Sequence, residues 1–409
     1  MSRSMMRSSI WPRADIWGLG IAAALAPWIS VLFPRGLGGL LPVAALAAVA
    51  GFYYVRRRLP IGDRSLWLAG AVVILLCGAS ALWSPDAGYG LERTAKIAST
   101  GALALLLLGI AGGIEADDRR RRLWMLFGAA YALGLGLTAV NVLSGGALYL
   151  LLHDVTRADD AVTASNRAMV ALILLLWPAL LAMVECRALF PKGSVLLPGA
   201  LVVAMVLTVT LLTDSQSALL GLLAGLLTLA GASFAPMAMR LAVQYGGAAL
   251  ILAMPWLVLG MRALDPSFSG DWQAASSSAR IEIWSAVAGR VFERPIVGHG
   301  LEAARFVPDW GMANIYYPAA MILHPHNGPL QVWFEMGAAG ALVAVALWWL
   351  LIRRLGQLSG LAHHLALAMA GVALFVSTVS HGLWQSWWLG LLGFAVVFFR
   401  LGQHWPPRG

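Results

Sequence analysis

The chain predicts an all-α fold, a polytopic integral membrane protein of about twelve transmembrane helices with one large outer loop that contains amphipathic helices. Three observations carry that reading. Of 409 residues, 60% are hydrophobic and 11% charged, whereas soluble domains run to about a quarter charged. Apolar runs near the length that crosses a hydrocarbon core recur along the whole chain,. Between them, every second connection is rich in Arg and Lys,.

Taken in order, the apolar runs begin near Ile16, Leu37, Leu66, Lys96, Leu123, Arg167, Val195, Ser217, Leu241, Leu330, Leu361 and Leu383. The first is long, lacks a small-residue cleavage site and follows Arg3, Arg7 and Arg13, so an uncleaved anchor is expected,. With the N-terminus inside, the inner connections hold Arg56, Arg57, Arg58 and Arg64, then Arg119 to Arg122, then Arg187 and Lys192, Arg240, and Arg353 with Arg354. Arg400 and Arg408 lie in the tail. The net charge of +9 therefore reads as a cytoplasmic bias beside anionic lipid, and no nucleic-acid partner is expected. Cys77 and Cys186 stand far apart, in or beside spans, and imply neither a disulfide framework nor a metal set,.

This order divides the chain into residues 1–261 with nine spans, an outer loop over 262–328, and residues 329–409 with three more. The loop has room for a site. Its middle, from Ser278 to Arg294, reads as an amphipathic helix with Ile281, Trp284, Ala288, Val291 and Phe292 at helical spacing, and Pro295 forbids continuation,. Projected at about 100° per residue, Arg280, Arg290 and Arg294 fall on one flank of the stripe and Glu282 and Glu293 on the other. Such a helix is expected to lie in the interface plane, with Trp284 at headgroup depth and the arginines toward lipid phosphates.

The segment from His324 to Gly340 sets two imidazoles and an amide directly before an apolar run. Histidine changes charge near neutral pH, so it can take a proton from a hydroxyl and return it. Pro329 suits the first position of the following helix, which leaves Asn327 and Gly328 to turn and cap the chain and His326 at the rim. His324 reads as support for it, Glu335 as a buried structural hydrogen-bonding group, and Gly337 and Gly340 as sites of close helix contact.

These residues resemble the bacterial O-antigen ligases, within the O-antigen polymerase and ligase superfamily. The resemblance covers most of the chain as topology and is specific in three places. They are Arg280 with Trp284 in the pattern Arg-x-x-x-Trp, Pro295-Ile-Val-Gly298-His-Gly300, and His326-Asn327 followed by Glu335, Gly337 and Gly340. It implies an essential His and Arg in a large periplasmic loop, roles that fall to His326 and Arg280. Asn166-Arg167 and Lys96 resemble further positions of the pattern. Where relatives often read Ser-Arg after the seventh span, this chain reads Asp214-Ser215-Gln216-Ser217, so Arg167 or Arg157 is expected to take over diphosphate contact. Asn327, His324 and Trp284 complete the expected substrate-binding set.

The resemblance implies transfer of a polysaccharide from undecaprenyl diphosphate to a sugar hydroxyl of lipid A-core, on the periplasmic face of the bacterial inner membrane. The donor-linked O-antigen, lipid A-core and membrane lipids are the implied partners. The donor already carries its leaving group, so the chain must bind phosphates, deprotonate a hydroxyl and align two lipids. The outer loops show no carboxylate cluster that suggests a divalent metal, and metal-independent chemistry without a cofactor is expected. An O-antigen polymerase or a protein O-oligosaccharyltransferase would share donor, fold and base, and the short termini favour the ligase. A transporter or flippase would show inverted repeats and several midplane charges, and neither is evident.

Overall fold

Backbone amides inside a bilayer must be satisfied within the segment that carries them, which leaves helices as the way for these apolar runs to cross. The computed structural model describes residues 14–114, 118–153, 158–190, 194–213, 215–264, 275–312 and 322–401. Among them every regular element is helical. The α-helices are α1 (Trp17–Leu32), α2 (Leu37–Arg56), α3 (Arg64–Ala81), α4 (Ala87–Gly112), α5 (Asp118–Leu143), α6 (Ala147–His153) and α7 (Ala158–Glu185). There follow α8 (Leu196–Leu211), α9 (Gln216–Phe234), α10 (Pro236–Leu264), α11 (Ala275–Val291), α12 (Gly328–Leu355), α13 (Gly360–Val379) and α14 (Ser386–Leu401).

Nine stretches among the described residues are long and apolar enough to cross a membrane. The helices Trp17–Leu32, Leu196–Leu211 and Ser386–Leu401 are apolar but shorter. Every expected run start falls in or beside one of these helices. The short α6 and the loop helix α11 are not among the candidate spans.

Contacts divide the chain into two compact units. The first comprises Met1–Trp67, Ser99–Leu223 and Ser386–Gly409. In it α1 packs on α2, α5 and α7, and α14 packs on α2 and α7. Phe127 and Phe398 meet at 4.3 Å between ring centroids. The Tyr131 hydroxyl donates to the Leu172 carbonyl at 3.0 Å, a polar helix tie of the kind that contributes about 1 kcal/mol in a bilayer, where apolar packing gains nothing from leaving water.

The second unit comprises Leu68–Ala98 and Ala224–Gln385. Here α10 packs on α11, α12 and α13, and α11 packs on α12. One apolar cluster joins Met254 and Val258 of α10, Ile283, Val287, Ala288 and Val291 of α11, and Leu330, Trp333 and Phe334 of α12. This shared core fixes α11 against the start of α12, and every contact of the site described next lies within this unit.

Candidate active site

The start of α12 is built by its own sequence. Asn327 caps it, its Oδ1 accepting the Leu330 N–H at 2.9 Å, while Pro329 takes the second helical position. An Asn cap is worth about 1 kcal/mol. The amide Nδ2 reaches Met254 Sδ at 3.2 Å and the side chain is fully buried. Asn327 is thus committed to the fold at both ends of its amide.

His326 stands one residue earlier with φ 55°, a left-handed conformation that costs a side-chain-bearing residue about 1–3 kcal/mol and persists only where neighbours enforce it. Its Nδ1 lies 2.9 Å from the Ser380 carbonyl oxygen. A carbonyl can only accept, so Nδ1 carries the proton and the lone pair of the neutral ring sits on Nε2. His324 stands edge-on to it at 4.2 Å, and its Nε2 lies 2.8 Å from Gln385 Nε2. Burial first, then repulsion from His326, Arg305 and Arg93, pushes the His324 pKa down to about 3, so it stays neutral at physiological pH.

One turn on, Gln331 donates to Glu335 Oε1 at 2.8 Å and Trp384 donates to Oε2 at 2.7 Å. Both oxygens of the Glu335 side chain, 1% exposed, are therefore engaged. Two residues later α12 breaks at Gly337, with φ 61° and ψ −156°. The segment Pro295–Gly300 fills the break. His299 and Gly300 donate to the carbonyls of Phe334 and Glu335 at 2.8 and 2.9 Å, and Ala338 and Ala339 donate to those of Pro295 and Ile296 at 2.8 and 3.1 Å. A Cβ on Gly298 would lie 2.4 Å from the Glu335 carbonyl carbon, and one on Gly337 would lie 2.4 Å from that of Ile296. Gly337 thus serves as a break as well as a close contact. The His299 ring stacks on Phe334 at 4.5 Å and its Nε2 donates to the Arg290 carbonyl at 2.9 Å, which commits this histidine to closing the end of α11.

A second charged group was not legible beforehand. Glu302, at φ 60°, places Oε1 2.8 Å from Arg93 Nε and Oε2 2.5 Å from Arg305 Nε. Both guanidinium groups also lie over the Tyr89 ring, at 5.7 and 5.5 Å. The signal available in sequence was proximity, since Glu302 lies two residues after the Pro295–Gly300 stretch and Arg305 three residues later.

The loop helix α11 forms, but the structure corrects its orientation. It ends at Val291, so Glu293 and Arg294 lie beyond it. Its buried stripe runs through Ile283, Val287, Ala288 and Val291, with Phe292 exposed and Glu282 buried at 6% exposure. The stripe is rotated because α11 packs on protein, on α10 and α12, rather than on lipid. Trp284 accordingly packs against the shared cluster. Arg290 donates to the Asp309 carbonyl and lies 5.4 Å over the Trp310 ring, so it ties down a loop. Arg280 has no hydrogen-bond or ion-pair partner among the described residues, and burial lowers its pKa from the usual value. A desolvated guanidinium without a partner favours an anion.

The remaining expected residues are dispersed. Lys96 pairs with Glu92 on an exposed face of α4; Arg93, on the same helix, is the residue that reaches Glu302. Arg167 lies on α7, in the other unit, beside Asn166, whose Oδ1 is buried without a hydrogen bond. Gln216 opens α9. Arg157 and Asp214 lie outside the described residues.

Residues 200–345 match the family model described as O-Antigen ligase, a stretch that includes Arg280, Trp284, Pro295–Gly300 and His324–Gly340. A protein of Rickettsia conorii (strain ATCC VR-613 / Malish 7), provisionally named a polysaccharide ligase, is 28% identical over 134 residues, covering 31% of this chain and 32% of its own. A protein of Rickettsia prowazekii (strain Madrid E) with the same provisional name is 26% identical over 136 residues, covering 31% and 34%. The chain thus spans about a third of the length of the curated relatives it matches.

Proposed function

We propose, from the O-antigen ligase domain that residues 200–345 match, that this chain is a polysaccharide ligase of the bacterial inner membrane. In this reading it transfers an O-antigen polysaccharide from undecaprenyl diphosphate to a sugar hydroxyl of lipid A-core on the periplasmic face. His326 Nε2 takes the proton of the acceptor hydroxyl, and the oxygen attacks the anomeric carbon of the donor. The bond from that carbon to the diphosphate breaks and its electron pair leaves with the phosphate oxygen. Arg280, desolvated on α11, receives the growing negative charge through paired N–H groups, a geometry that suits phosphate. Arg93 and Arg305, which flank Glu302 in the same unit, add positive charge for the donor, and Trp284 and His324 shape the surroundings. The chemistry runs without a metal.

The observation that carries this reading is the Nδ1–H bond from His326 to the Ser380 carbonyl, because it puts the basic lone pair on Nε2 and spends backbone strain to do so. The test is in vitro transfer by the purified full chain, using a polyprenyl-diphosphate-linked glycan with lipid A-core, and in parallel a peptide or a second glycan, as acceptor. His326→Ala is expected to fold normally and to lose transfer by about a hundredfold or more, as for removal of a general base. Near wild-type transfer by that variant refutes the mechanism. Transfer to peptide or glycan in place of lipid A-core reassigns the acceptor and keeps the chemistry.

A further inference from the structure

The base of this reaction is oriented by a carbonyl 54 residues away in sequence. Residues 380–385 join α13 to α14 and lie along the first turns of α12 as a strap. Four bonds fasten it. The Ser380 carbonyl accepts from His326 Nδ1 at 2.9 Å, Gln331 Oε1 accepts the Leu383 N–H at 2.9 Å, Glu335 Oε2 accepts the Trp384 Nε1–H at 2.7 Å, and Gln385 Nε2 lies 2.8 Å from His324 Nε2.

The first bond sets the tautomer of the base, and the others hold the carbonyl where that bond can form. Gln331 is central. It is 2% exposed, it grips the strap with Oε1, and its Nε2 donates to Glu335 at 2.8 Å. Glu335 in turn grips Trp384, so one amide links both fastenings. On the other side the strap has no slack, because a Cβ on Gly382 would lie 2.7 Å from the His324 ring.

We infer that Gln331 and Trp384 are positioning residues for the transfer reaction, which fix His326 in its Nδ1–H tautomer by pinning the 380–385 strap against α12. The inference rests on the reading of His326 as the base. Neither residue needs to touch either substrate. Releasing the strap would let the Ser380 carbonyl drift and the imidazole exchange tautomers and rotate, and a displacement of about 1 Å at a reacting group is enough to cost on the order of a hundredfold in rate.

The experiment uses full-length protein labelled with 15N-histidine in lipid nanodiscs, with kcat, KM for the donor, and imidazole 15N spectra measured together. The His326 signal is identified by its loss in His326→Ala. Gln331→Leu, of similar volume, is expected to lower kcat about 10- to 100-fold with KM within about twofold, and to turn the single Nδ1–H signature of His326 into a mixture of tautomers. Trp384→Phe keeps an aromatic side chain and deletes one hydrogen bond, so it is expected to act in the same direction by a smaller factor, and it carries the test if Gln331→Leu does not fold. An unchanged His326 tautomer in folded variants overturns the inference, whatever the rate. If His326→Ala retains transfer, the base assignment itself falls, and that failure is distinct because it does not involve the strap variants.

Discussion

Single side chains in α11 differ by what they touch, and that decides how each should respond to substitution. Arg280 is desolvated and makes no hydrogen bond or ion pair among the described residues, whereas Arg290 is bound to the Asp309 carbonyl and the Trp310 ring. A lysine keeps the charge but not the planar fork, and a charge-assisted hydrogen bond is worth about 1.5–3 kcal/mol. Arg280→Lys is therefore expected to lose about 10- to 100-fold in transfer at unchanged Tm. Arg290→Lys should instead lower Tm slightly, by the loss of about 1 kcal/mol of loop anchoring, with transfer nearly intact. Parallel rate and melting measurements decide it, and equal rate losses in the two would make α11 a general electrostatic anchor. Projection about Ile281 and Phe292 puts Glu282 on a flank of the apolar stripe, opposite the arginines, whereas packing on α10 and α12 buries it. The places of His326, just before α12, and of Arg280, on a loop helix, could be read from the sequence, but the meeting of Glu302 with Arg93 and Arg305 could not, because that group is assembled by contact between α4 and a loop about 200 residues later,.

At the level of elements, the broken helix α12 and the Pro295–Gly300 segment behave as one device. Hydrophobic periodicity shows α12 as a continuous apolar run, and nothing in it marks the interruption except Gly337, whose positive φ only glycine adopts cheaply,. What the run could not show is that another segment supplies the missing hydrogen bonds, four of them across the break. In a bilayer each unpaired amide would cost several kcal/mol, so the loop and the break depend on each other. Gly298→Ala must adopt φ 69° and press a methyl to 2.4 Å from the Glu335 backbone. It is expected to destabilise the protein by well over the ~1 kcal/mol cost of the conformation alone and to abolish transfer through Glu335 and the strap. Gly289→Ala, on an exposed stretch of α11 with nothing within 4 Å of a new Cβ, is the matched comparison and should raise stability by up to about 1 kcal/mol. Thermal unfolding in detergent reads both. A Gly298→Ala protein as stable as its parent would mean that the loop does not need its close approach to α12.

At the scale of the whole molecule, the apolar lengths and the alternation of basic connections were readable because the bilayer imposes both, one through thickness and the other through charge. The grouping into two compact units was not, because residues 68–98 pack with 224–385 through contacts that no local pattern encodes. The helix ends agree with the alternation. Arg56 closes α2, Arg119 to Arg122 open α5, Arg240 lies in the first turns of α10, Arg353 and Arg354 close α12, and Arg400 closes α14. If α6 and α11 do not cross, counting the crossings in chain order assigns each of these ends to the inner side of the membrane and the loop with His326 and Arg280 to the outer side. The expected outcome is specific. In a Cys77→Ala, Cys186→Ala background, whose native thiols are buried in any case, Glu293→Cys on the exposed turn after α11 should react with a membrane-impermeant maleimide in intact spheroplasts. Arg121→Cys, at the start of α5, should react only after the membrane is opened. Labelling of Arg121→Cys in intact spheroplasts, or protection of Glu293→Cys, would put the loop on the cytoplasmic side. There the proposed transfer would have no access to a periplasmic acceptor, and the function would fail together with the topology.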